Sequence, residues 1–166
     1  MQLFILDRDP EQAARMLCDA HLRKMCLETA QILSARLFLA GRPAAPAMPK
    51  PCYVSHPVIR ALDTAWKLNW AVACNEALHR EYLYRFGKPH AYCGLAPEYR
   101  RLLHVSLPDG TAEDWTFARA FHGLRITEPD LVAAYRQYYR FKKNRLKHWR
   151  YTHRAEPGWL TVPDAP

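Results

Sequence analysis

The sequence predicts an all-α fold: a compact, single-domain helical bundle with long loops over residues 1–166. Long segments carry apolar residues at helical spacing between recognisable start and stop signals, and no later segment alternates convincingly with the period of a strand. The chain has 166 residues, 49% of them hydrophobic, which is enough for one buried core. No apolar run is long enough to span a bilayer, and the start lacks the basic segment of a signal peptide. We therefore expect a soluble intracellular protein.

The first long helix is predicted from Asp9 to Gly41. Asp9 is a favourable N-cap and Pro10 suits the first helical position, while Gly41 and the nearby Pro43 favour termination. The preceding residues 2–6 predict either a short strand or an extended apolar arm.

A row of polar side chains follows this helix at offsets of three, four and three residues: His21, Lys24, Glu28 and Gln31. Residues at that spacing stack along one helix face. One interpretation is an ordinary solvated face, on which Lys24 and Glu28 form an i,i+4 pair that stabilises the helix by about 0.3 kcal/mol. The other is a catalytic site, with His21 and Glu28 as proton donor and acceptor and Lys24 as charge or nucleophile.

The middle of the chain predicts a second long helix after a proline-rich connector at residues 41–54. Ser55 or His56 can cap a helix that begins near Pro57 and continues to Phe86, where Gly87 ends it. This segment has too many apolar residues for a two-faced surface helix. We therefore expect it to be central and buried on several sides.

Shorter elements are expected beyond it: a helix from Ala96 to Leu103 and a turn from Ser106 to Gly110. Residues 111–126 are ambiguous by pattern. Three of their side chains are expected to pack under the helices: Phe117, Phe121 and His122.

The last long helix is predicted to open at Thr127, where Thr-Glu-Pro-Asp resembles a capping box. Its apolar stripe consists of Val132, Tyr135, Tyr139, Leu146 and Trp149. A parallel basic stripe consists of Arg136, Arg140, Lys143, Lys147 and Arg150. A solvated surface beside a core face could explain this pattern. However, like charges at i,i+4 repel, and five cations with no interleaved acid favour contact with phosphate.

The positive charge of the whole chain is concentrated in this segment. The net charge is +8, and Leu131 to Ala155 contain eight Lys or Arg residues and no Asp or Glu. Such a segment is typical of a protein with a polyanionic partner. We therefore predict that double-stranded DNA is bound by a set of basic residues: Arg136, Arg140, Lys142, Lys143, Arg145, Lys147 and Arg150, which Arg154 can join.

Cysteine and histidine spacing gives no metal motif. The five cysteines include no C-x-x-C pair, and the eight histidines are scattered, with no H-E-x-x-H. The signature of the zinc deaminases is also missing. We expect reduced, mostly buried cysteines and no structural metal.

Three segments resemble a family of small phage-encoded proteins: CDAHLRKMCLETAQILS at 18–34, SHPVIRALDTAWKLNWAVACNEALHREYLYRFGKPH at 55–90, and AYRQYYRFKK at 134–143. The matching residues are Leu6 to Pro10; Cys18, Asp19, His21, Lys24, Met25, Glu28 and Gln31; and Ala134, Tyr135, Arg136, Tyr138, Tyr139 and Arg140. The resemblance covers nearly the whole chain. That family looks related to the all-helical pyrimidine-dimer DNA glycosylases and is similar to the amino acid:DNA transferases of phage thymidine-hypermodification clusters.

The resemblance implies an enzyme that extrudes a base from duplex DNA. The transferases attach an amino acid, such as glycine, to the 5-methylene carbon of a phosphorylated 5-hydroxymethyluracil in DNA. The glycosylases instead attack the sugar C1′ with an amine, which in the phage enzyme belongs to an N-terminal Thr exposed by removal of Met. This chain begins Met-Gln, and Gln is too bulky to favour that processing. Lys24 is a substitute amine, although Glu28 keeps it protonated unless burial dominates.

Amino acid transfer is therefore the first expectation, and a pyrimidine-dimer-type glycosylase with lyase activity is the alternative. In the transferase, Glu28 or His21 accepts the proton of the incoming amine. Lys24, with Arg8 or an arginine of the basic helix, stabilises the departing phosphate. The ammonium group of the amino acid is assigned to one of two carboxylates: Asp7 or Asp19.

Recognition of the flipped base is assigned to side chains elsewhere in the chain: Gln31 and Asn75 for its Watson–Crick edge, and Tyr138, Tyr139 or Trp70 for stacking. The partners expected are double-stranded DNA and a free amino acid, with no membrane, no metal and no organic cofactor. The phage resemblance implies the cytoplasm of an infected bacterial host. A third class is a DNA-binding module without catalysis. The sequence does not decide the oligomeric state.

Overall fold

The computed structural model describes residues 1–103 and 107–161, and its regular structure is helical. Within those residues six α-helices occur: α1 Pro10–Arg15, α2 Asp19–Leu39, α3 Pro57–Arg60, α4 Ala65–Phe86, α5 Ala96–Leu102 and α6 Leu131–Lys143. A 3₁₀ turn at Gly158–Leu160 follows them. The described ranges contain no strand, so the predicted all-α fold is confirmed. None of the helices in them is both long and apolar enough to cross a membrane.

The chain begins as an extended arm through the core rather than as a strand. Leu3, Phe4, Ile5 and Leu6 are each at most 5% exposed. The Phe4 ring lies 5.0 Å from the ring of His21 on α2 and 5.1 Å from that of Tyr139 on α6, measured between centroids. The arm therefore fills the space between these two helices.

The predicted helix from Asp9 to Gly41 is interrupted, and this expectation is corrected. Asp9 caps α1 as predicted, since its side chain accepts from the Glu11 N–H. The helix then breaks before Cys18, whose N–H donates to the Tyr139 hydroxyl at 2.8 Å. Arg85 of α4 donates to the carbonyls of Leu17 and Arg15 at 2.7 and 2.8 Å. The break arises because a buried guanidinium takes carbonyls that a continuous helix would use itself.

The second predicted helix is also divided, into α3 and α4. His56 caps α3 as expected, but Thr64 starts a new helix by accepting from the Lys67 N–H. The first N–H groups of α4 donate outside the helix, to the carbonyls of Pro108 and Asp109. From there α4 runs through the core and ends at Gly87, which has a left-handed φ of 66°. The predicted central position and the predicted end are confirmed.

The shorter elements match in part. The helix expected from Ala96 to Leu103 is α5, and the expected turn lies partly outside the described residues, because Ser106 is not among them. Residues 111–126 contain no helix. Phe117 is buried and Phe121 is packed against the core, whereas His122 is exposed, so its predicted packing is wrong.

The last helix is shorter at both ends than predicted. Asp130, not Thr127, caps α6 by accepting from the Ala133 N–H at 2.8 Å. The helix ends at Lys143, and the chain then folds back along it, so the Trp159 carbonyl accepts from Arg140 at 3.2 Å. The predicted stripes therefore lose their last members as helical residues: Leu146, Lys147, Trp149 and Arg150.

Candidate active site and DNA-contacting surface

Glu28 holds the start of the chain against α2. Its Oε2 atom accepts from the Gln2 backbone N–H at 2.8 Å, and its Oε1 atom lies 3.4 Å from the Lys24 ammonium. The Gln2 amide nitrogen also donates to the Ala120 carbonyl at 3.1 Å. The carboxylate is therefore positioned by two neighbours while 12% of its side chain stays exposed.

Three of the four polar residues predicted to line up do share an accessible edge of α2. Lys24 is exposed, with 62% of its side chain in solvent, and Gln31 is half-buried one turn beyond Glu28. A carboxylate, an amine and an amide thus point along the same face, as their spacing predicts. We name Gln2, His21, Lys24 and Glu28 the Glu28 cluster.

His21 is buried, like Gln2 and Glu28 of this cluster. Its Nδ1 atom lies 3.0 Å from the Tyr139 hydroxyl, and the ring packs against Phe4 and Trp149. Burial lowers the pKa of His21 to about 4, and the positive charges of Lys24 and Lys142 contribute to the same shift. The imidazole is therefore neutral near pH 7.

The hydrogen bond to Tyr139 bears on which ring nitrogen is protonated. The Tyr139 oxygen already accepts the Cys18 N–H, and burial raises the pKa of the Tyr139 phenol well above its usual value. When the hydroxyl proton is shared with Nδ1, the neutral ring of His21 carries its own proton on Nε2. His21 and Glu28 are two helical turns apart, about 10 Å along the axis, so one reacting atom cannot contact both. The cluster thus favours Glu28 as proton acceptor and His21 as a neutral donor.

Asp19 has a different environment, at the start of the same helix. Its oxygens accept from the Arg85 guanidinium at 3.1 Å, from the Thr152 backbone N–H at 3.0 Å and from the Thr152 hydroxyl at 2.6 Å. Burial alone would raise the pKa of Asp19, but the hydrogen bonds from Thr152 and Arg85 more than offset it, so the pKa is lowered. Glu81 binds Arg85 and Arg154 in the same group. We name these five residues the Asp19 network.

This network corrects the expectation for Asp19. A carboxylate whose oxygens are filled by protein donors has little capacity left for a substrate ammonium group. Asp19 instead fastens the returning tail to α2, and its backbone N–H reinforces the junction by donating to the Arg150 carbonyl at 2.8 Å.

The predicted residues of the first loop are tied to α6. Asp7 Oδ2 lies 3.1 Å from Arg136, whose Nε also donates to the Leu6 carbonyl at 2.8 Å. Arg8 is largely exposed, stands over the Trp115 ring and reaches Asp130 at 3.5 Å. Of these three residues, only Arg8 has a largely solvent-exposed charged group. Asp7 and Arg136 instead form an ion pair that joins the arm to α6.

The residues assigned to reading and stacking on a base are buried. Asn75 is 0% exposed and donates to the Thr29 hydroxyl at 2.8 Å, between α4 and α2. Tyr138 and Tyr139 are at most 1% exposed and pack in the aromatic core around Phe4. Trp70 is also buried and donates to the Arg8 carbonyl. None of these four side chains reaches a flipped base without local opening, because the core covers them.

The basic residues fall into two groups. Those on α6 bind internal acceptors: Arg136 as above, Arg140 at the Trp159 carbonyl, and Lys143 at Glu156. Lys142 is half-buried, with its ammonium 5.2 Å from the Tyr138 ring centroid. The exposed cations follow the helix: Arg145, Lys147 and Arg150.

An open cavity of about 420 Å³ lies beside Arg150. It is lined by Arg23 and His148 as well, with Phe86 at its base and the neutralised carboxylate of Asp19 at one side. Cations on the α2 surface and on the returning tail therefore border the same depression. This is the described surface best suited to phosphate, and it adds Arg23 to the predicted set.

Two contributors to the Glu28 cluster were not assigned to it from the sequence. Gln2 acts through its backbone N–H, which every residue except proline possesses, so no residue type could have indicated it. Lys142 was placed only among the DNA contacts, although its charge also acts on His21. The sequence feature that indicates a core-facing position for Lys142 is its place four residues after Tyr138 in an aromatic segment.

Comparison of the chain with protein-family models, with curated proteins and with solved structures finds no match.

Proposed function

We propose that this protein is a DNA-modifying enzyme that transfers a free amino acid onto a flipped thymine-type base. The acceptor is the 5-methylene carbon of a phosphorylated 5-hydroxymethyluracil in duplex DNA. The observation that carries the proposal is Glu28: a carboxylate held by the Gln2 N–H and Lys24, with 12% of its side chain exposed, on the same helix as the neutral His21 two turns away. The resemblance of the α2 segment to the phage transferases supplies the reaction class.

The bond changes are simple. The amine nitrogen of the amino acid attacks the methylene carbon, the carbon–oxygen bond to the phosphate breaks, and a carbon–nitrogen bond forms. Glu28 accepts the proton that the amine loses. Lys24 is the exposed cation next to Glu28 and stabilises the charge on the leaving phosphate.

Binding of the duplex is assigned to the tail and to Arg23. Arg145, Lys147 and Arg150 are exposed and follow α6 directly, and the cavity beside Arg150 accepts a phosphate-sized group. Gln31, on the same face as Glu28, is the remaining predicted amide that is not fully buried, so we assign it the polar edge of the base.

The test is mass spectrometry of nucleosides. Duplex DNA carrying phosphorylated 5-hydroxymethyluracil is incubated with the protein and a mixture of amino acids, and is then digested completely. The expected product is a thymidine-like nucleoside that is heavier than 5-hydroxymethyldeoxyuridine by one amino acid residue. Glu28→Gln should abolish it, whereas the matched control Glu98→Gln, at a surface glutamate paired with Arg101, should not. Unmodified nucleosides with intact DNA would overturn the proposal.

One observation favours base excision as the second candidate. The arm brings the start of the chain to Glu28. Burial lowers the pKa of His56, and the positive charge of the Met1 amine lowers it further, whereas the negative charge of Glu28 opposes the shift. In this mechanism the terminal amine attacks the sugar C1′, displaces the base and forms an imine with the opened sugar. Borohydride treatment during reaction with irradiated DNA would then give a covalent protein–DNA adduct. Its appearance, with no new nucleoside, would move the assignment to a glycosylase.

A DNA-binding module without catalysis predicts a third result. Glu28→Gln and His21→Ala would then alter neither nucleosides nor strands, and wild-type protein would show only salt-sensitive duplex binding. The same assays thus separate all three classes.

A further inference from the structure

Three metal-binding residue types that are far apart in the sequence converge where the loop after α4 meets α2. The Cys26 sulfur and one ring nitrogen each of His79 and His90 lie within 4.8 Å of one another. Cys26 and His79 are buried on α2 and α4, and His90 is half-buried in the loop. The two imidazole rings are 5.5 Å apart between centroids.

A second observation points to a ligand. The Nδ1 atom of His79 is buried and has no hydrogen-bond partner among the described residues, although the residue is only 4% exposed. Leaving a polar ring nitrogen unpaired in a protein interior is unfavourable. A bound cation would satisfy it.

The neighbour of His79 is consistent with that role. Asn75 places its amide nitrogen 3.4 Å from His79 Nε2, while its Oδ1 atom is also buried without a partner in the described chain. Rotating the amide by half a turn brings Oδ1 to Nε2, which can then carry the ring proton and donate to it. The Thr29 hydroxyl, which now accepts from the amide nitrogen, then turns from the Met25 carbonyl and donates to Oδ1 instead. The lone pair of His79 is thereby left on Nδ1. Metal-bound histidines commonly donate their other N–H to such an outer acceptor.

The loop supplies a candidate for the fourth ligand. Cys93 follows His90 by three residues in one turn, closed by the Cys93 N–H donating to the His90 carbonyl at 2.9 Å. Two ligands from one short turn are typical of zinc sites. Cys93 and His79 also line the same cavity of about 240 Å³.

We propose that Cys26, His79 and His90 bind one Zn²⁺ ion and that Cys93 completes a tetrahedral site. Thiolate and imidazole together are the ligand set that Zn²⁺ prefers in proteins. On binding, the cysteines lose their thiol protons, and Cys26 gives up its 3.6 Å hydrogen bond to the Leu78 carbonyl. The ion would fasten the loop at His90–Cys93 to α2 and α4.

Cys26 lies two residues from Glu28, on the opposite side of α2, and a metal site here differs from the sequence expectation of no metal. The expectation relied on short-range motifs, whereas here two ligands come from separate helices. Because the assigned role is structural, zinc binding and amino acid transfer can each fail without the other.

The first test measures metal content of the untagged, full-length protein by elemental mass spectrometry. The protein is stripped with a chelator, reloaded with Zn²⁺ and separated from excess metal. One zinc ion per chain is expected. Co²⁺ in place of Zn²⁺ should give the absorption of a tetrahedral site together with a thiolate-to-cobalt charge-transfer band. Failure to retain zinc above the level of a Cys26→Ser/His90→Ala double variant would overturn the proposal.

Single variants locate the site. His90→Ala changes a half-buried loop residue and leaves the helices intact, so it should remove zinc binding from a folded protein. Its loss of affinity should exceed the roughly 10- to 100-fold that follows loss of an outer-shell partner. The matched controls are His122→Ala, an exposed histidine, and Cys52→Ser, a half-buried cysteine of the connector. Both should keep one zinc ion, and circular dichroism establishes that every variant is folded.

Cys93→Ser tests the fourth position. If Cys93 is a ligand, the variant should bind zinc more weakly, and the charge-transfer band of the Co²⁺ protein should weaken because one of two thiolates is removed. Unchanged affinity and spectrum would remove Cys93 from the site.

Discussion

Two carboxylates on α2 illustrate how the same residue type acquires different roles. Asp19, at the first turn, accepts hydrogen bonds from Arg85 and Thr152, and a buried ion network surrounds it. Glu28, two and a half turns later, accepts one backbone N–H and meets a lysine that is mostly in solvent. Both were candidate site residues by sequence. Both side chains are 12% exposed, and the structure separates them by their partners: Arg85 and the returning tail fill the acceptor positions of Asp19, whereas Glu28 has one backbone N–H and an exposed lysine.

The difference indicates where chemistry is possible. A carboxylate whose acceptor positions are filled by fixed donors stabilises the fold, and its pKa is lowered, as at Asp19. A carboxylate with remaining acceptor capacity and a mobile cation beside it can take a proton from a bound molecule. The comparison therefore indicates a stabilising role for the Asp19 network and places the proposed reaction at the Glu28 cluster.

The largest effect expected is on activity, from Glu28→Gln. The amide still accepts the Gln2 N–H but cannot take a proton, so transfer should fall by about 10²- to 10⁴-fold, the usual contribution of a general base. The free energy of unfolding should change by less than about 1 kcal/mol, because the lysine of the broken ion pair is 62% exposed and the hydrogen bond from the Gln2 N–H is kept. Product yield by nucleoside mass spectrometry and urea unfolding measure the two effects. Equal activity in variant and wild type would show that Glu28 is not the general base.

Arg85→Met tests whether the Asp19 network stabilises the fold. The Arg85 side chain is 0% exposed, and its removal leaves Asp19 and Glu81 without their main buried cation. The free energy of unfolding should fall by about 3–5 kcal/mol, as when one partner of a buried ion pair is removed. Arg101→Met is the control, since Arg101 pairs with the surface residue Glu98 and its loss should change the free energy of unfolding far less. Equal losses for the two variants would contradict a stabilising network.

Local sequence chemistry predicted the ends of elements better than their interruptions. The caps at Asp9 and His56 and the stop at Gly87 depend on neighbouring residues, and the structure confirms them. The break before Cys18 depends on Arg85, a residue far along the chain that takes helical carbonyls. The spacing of residues within the first segment therefore could not predict the contact with Arg85.

The candidate site follows the same division. The spacing of Lys24, Glu28 and Gln31 correctly placed them on one face, because helix geometry alone decides it. Burial of Asn75 was missed, because the packing of α2 against α4 decides which faces are covered, whereas Tyr139 is buried as its place in the apolar stripe predicts. The shortening of α6 was missed for a related reason: its end is set by the tail that folds back onto it.

The pH dependence of stability tests the environment of His21. Its pKa is lowered from 6.5 to about 4 by burial and by the nearby lysines, so the folded protein resists a proton that the unfolded chain accepts. This contribution is complete above pH 6.5 and is lost as the pH falls to about 4, a total of about 3 kcal/mol. Burial also lowers the pKa of His79 to about 4, so His21→Asn should reduce the slope over that window and leave the part that His79 contributes. A wild-type slope retained in the variant would show that His21 is not the residue concerned.

A smaller effect is expected from the exposed cations of the tail. Replacing Arg145, Lys147 and Arg150 by Gln should lower duplex affinity and reduce the slope of log K against log salt by up to about 0.9 for each phosphate that the protein no longer neutralises. Arg42 and Lys88, exposed cations outside the tail, provide a control double variant that should leave the slope nearly unchanged. Fluorescence anisotropy at several salt concentrations measures both. An equal change in the control would assign binding to net charge rather than to this surface.

The smallest effect on stability is expected from Lys24→Gln, and it sharpens the comparison most directly. Lys24 and Glu28 are 3.4 Å apart at i,i+4 spacing, but the lysine is 62% exposed, so breaking the pair should reduce the free energy of unfolding by only about 0.3 kcal/mol. If Lys24 stabilises the departing phosphate, transfer should nevertheless slow by a much larger factor. A double-mutant cycle with Glu28→Gln, measured by unfolding and by product yield, separates the two quantities. Coupling in activity without comparable coupling in stability would identify the pair as part of the reaction. Small effects of similar size in both measurements would instead identify Lys24 and Glu28 as an ordinary ion pair on a solvated helix face.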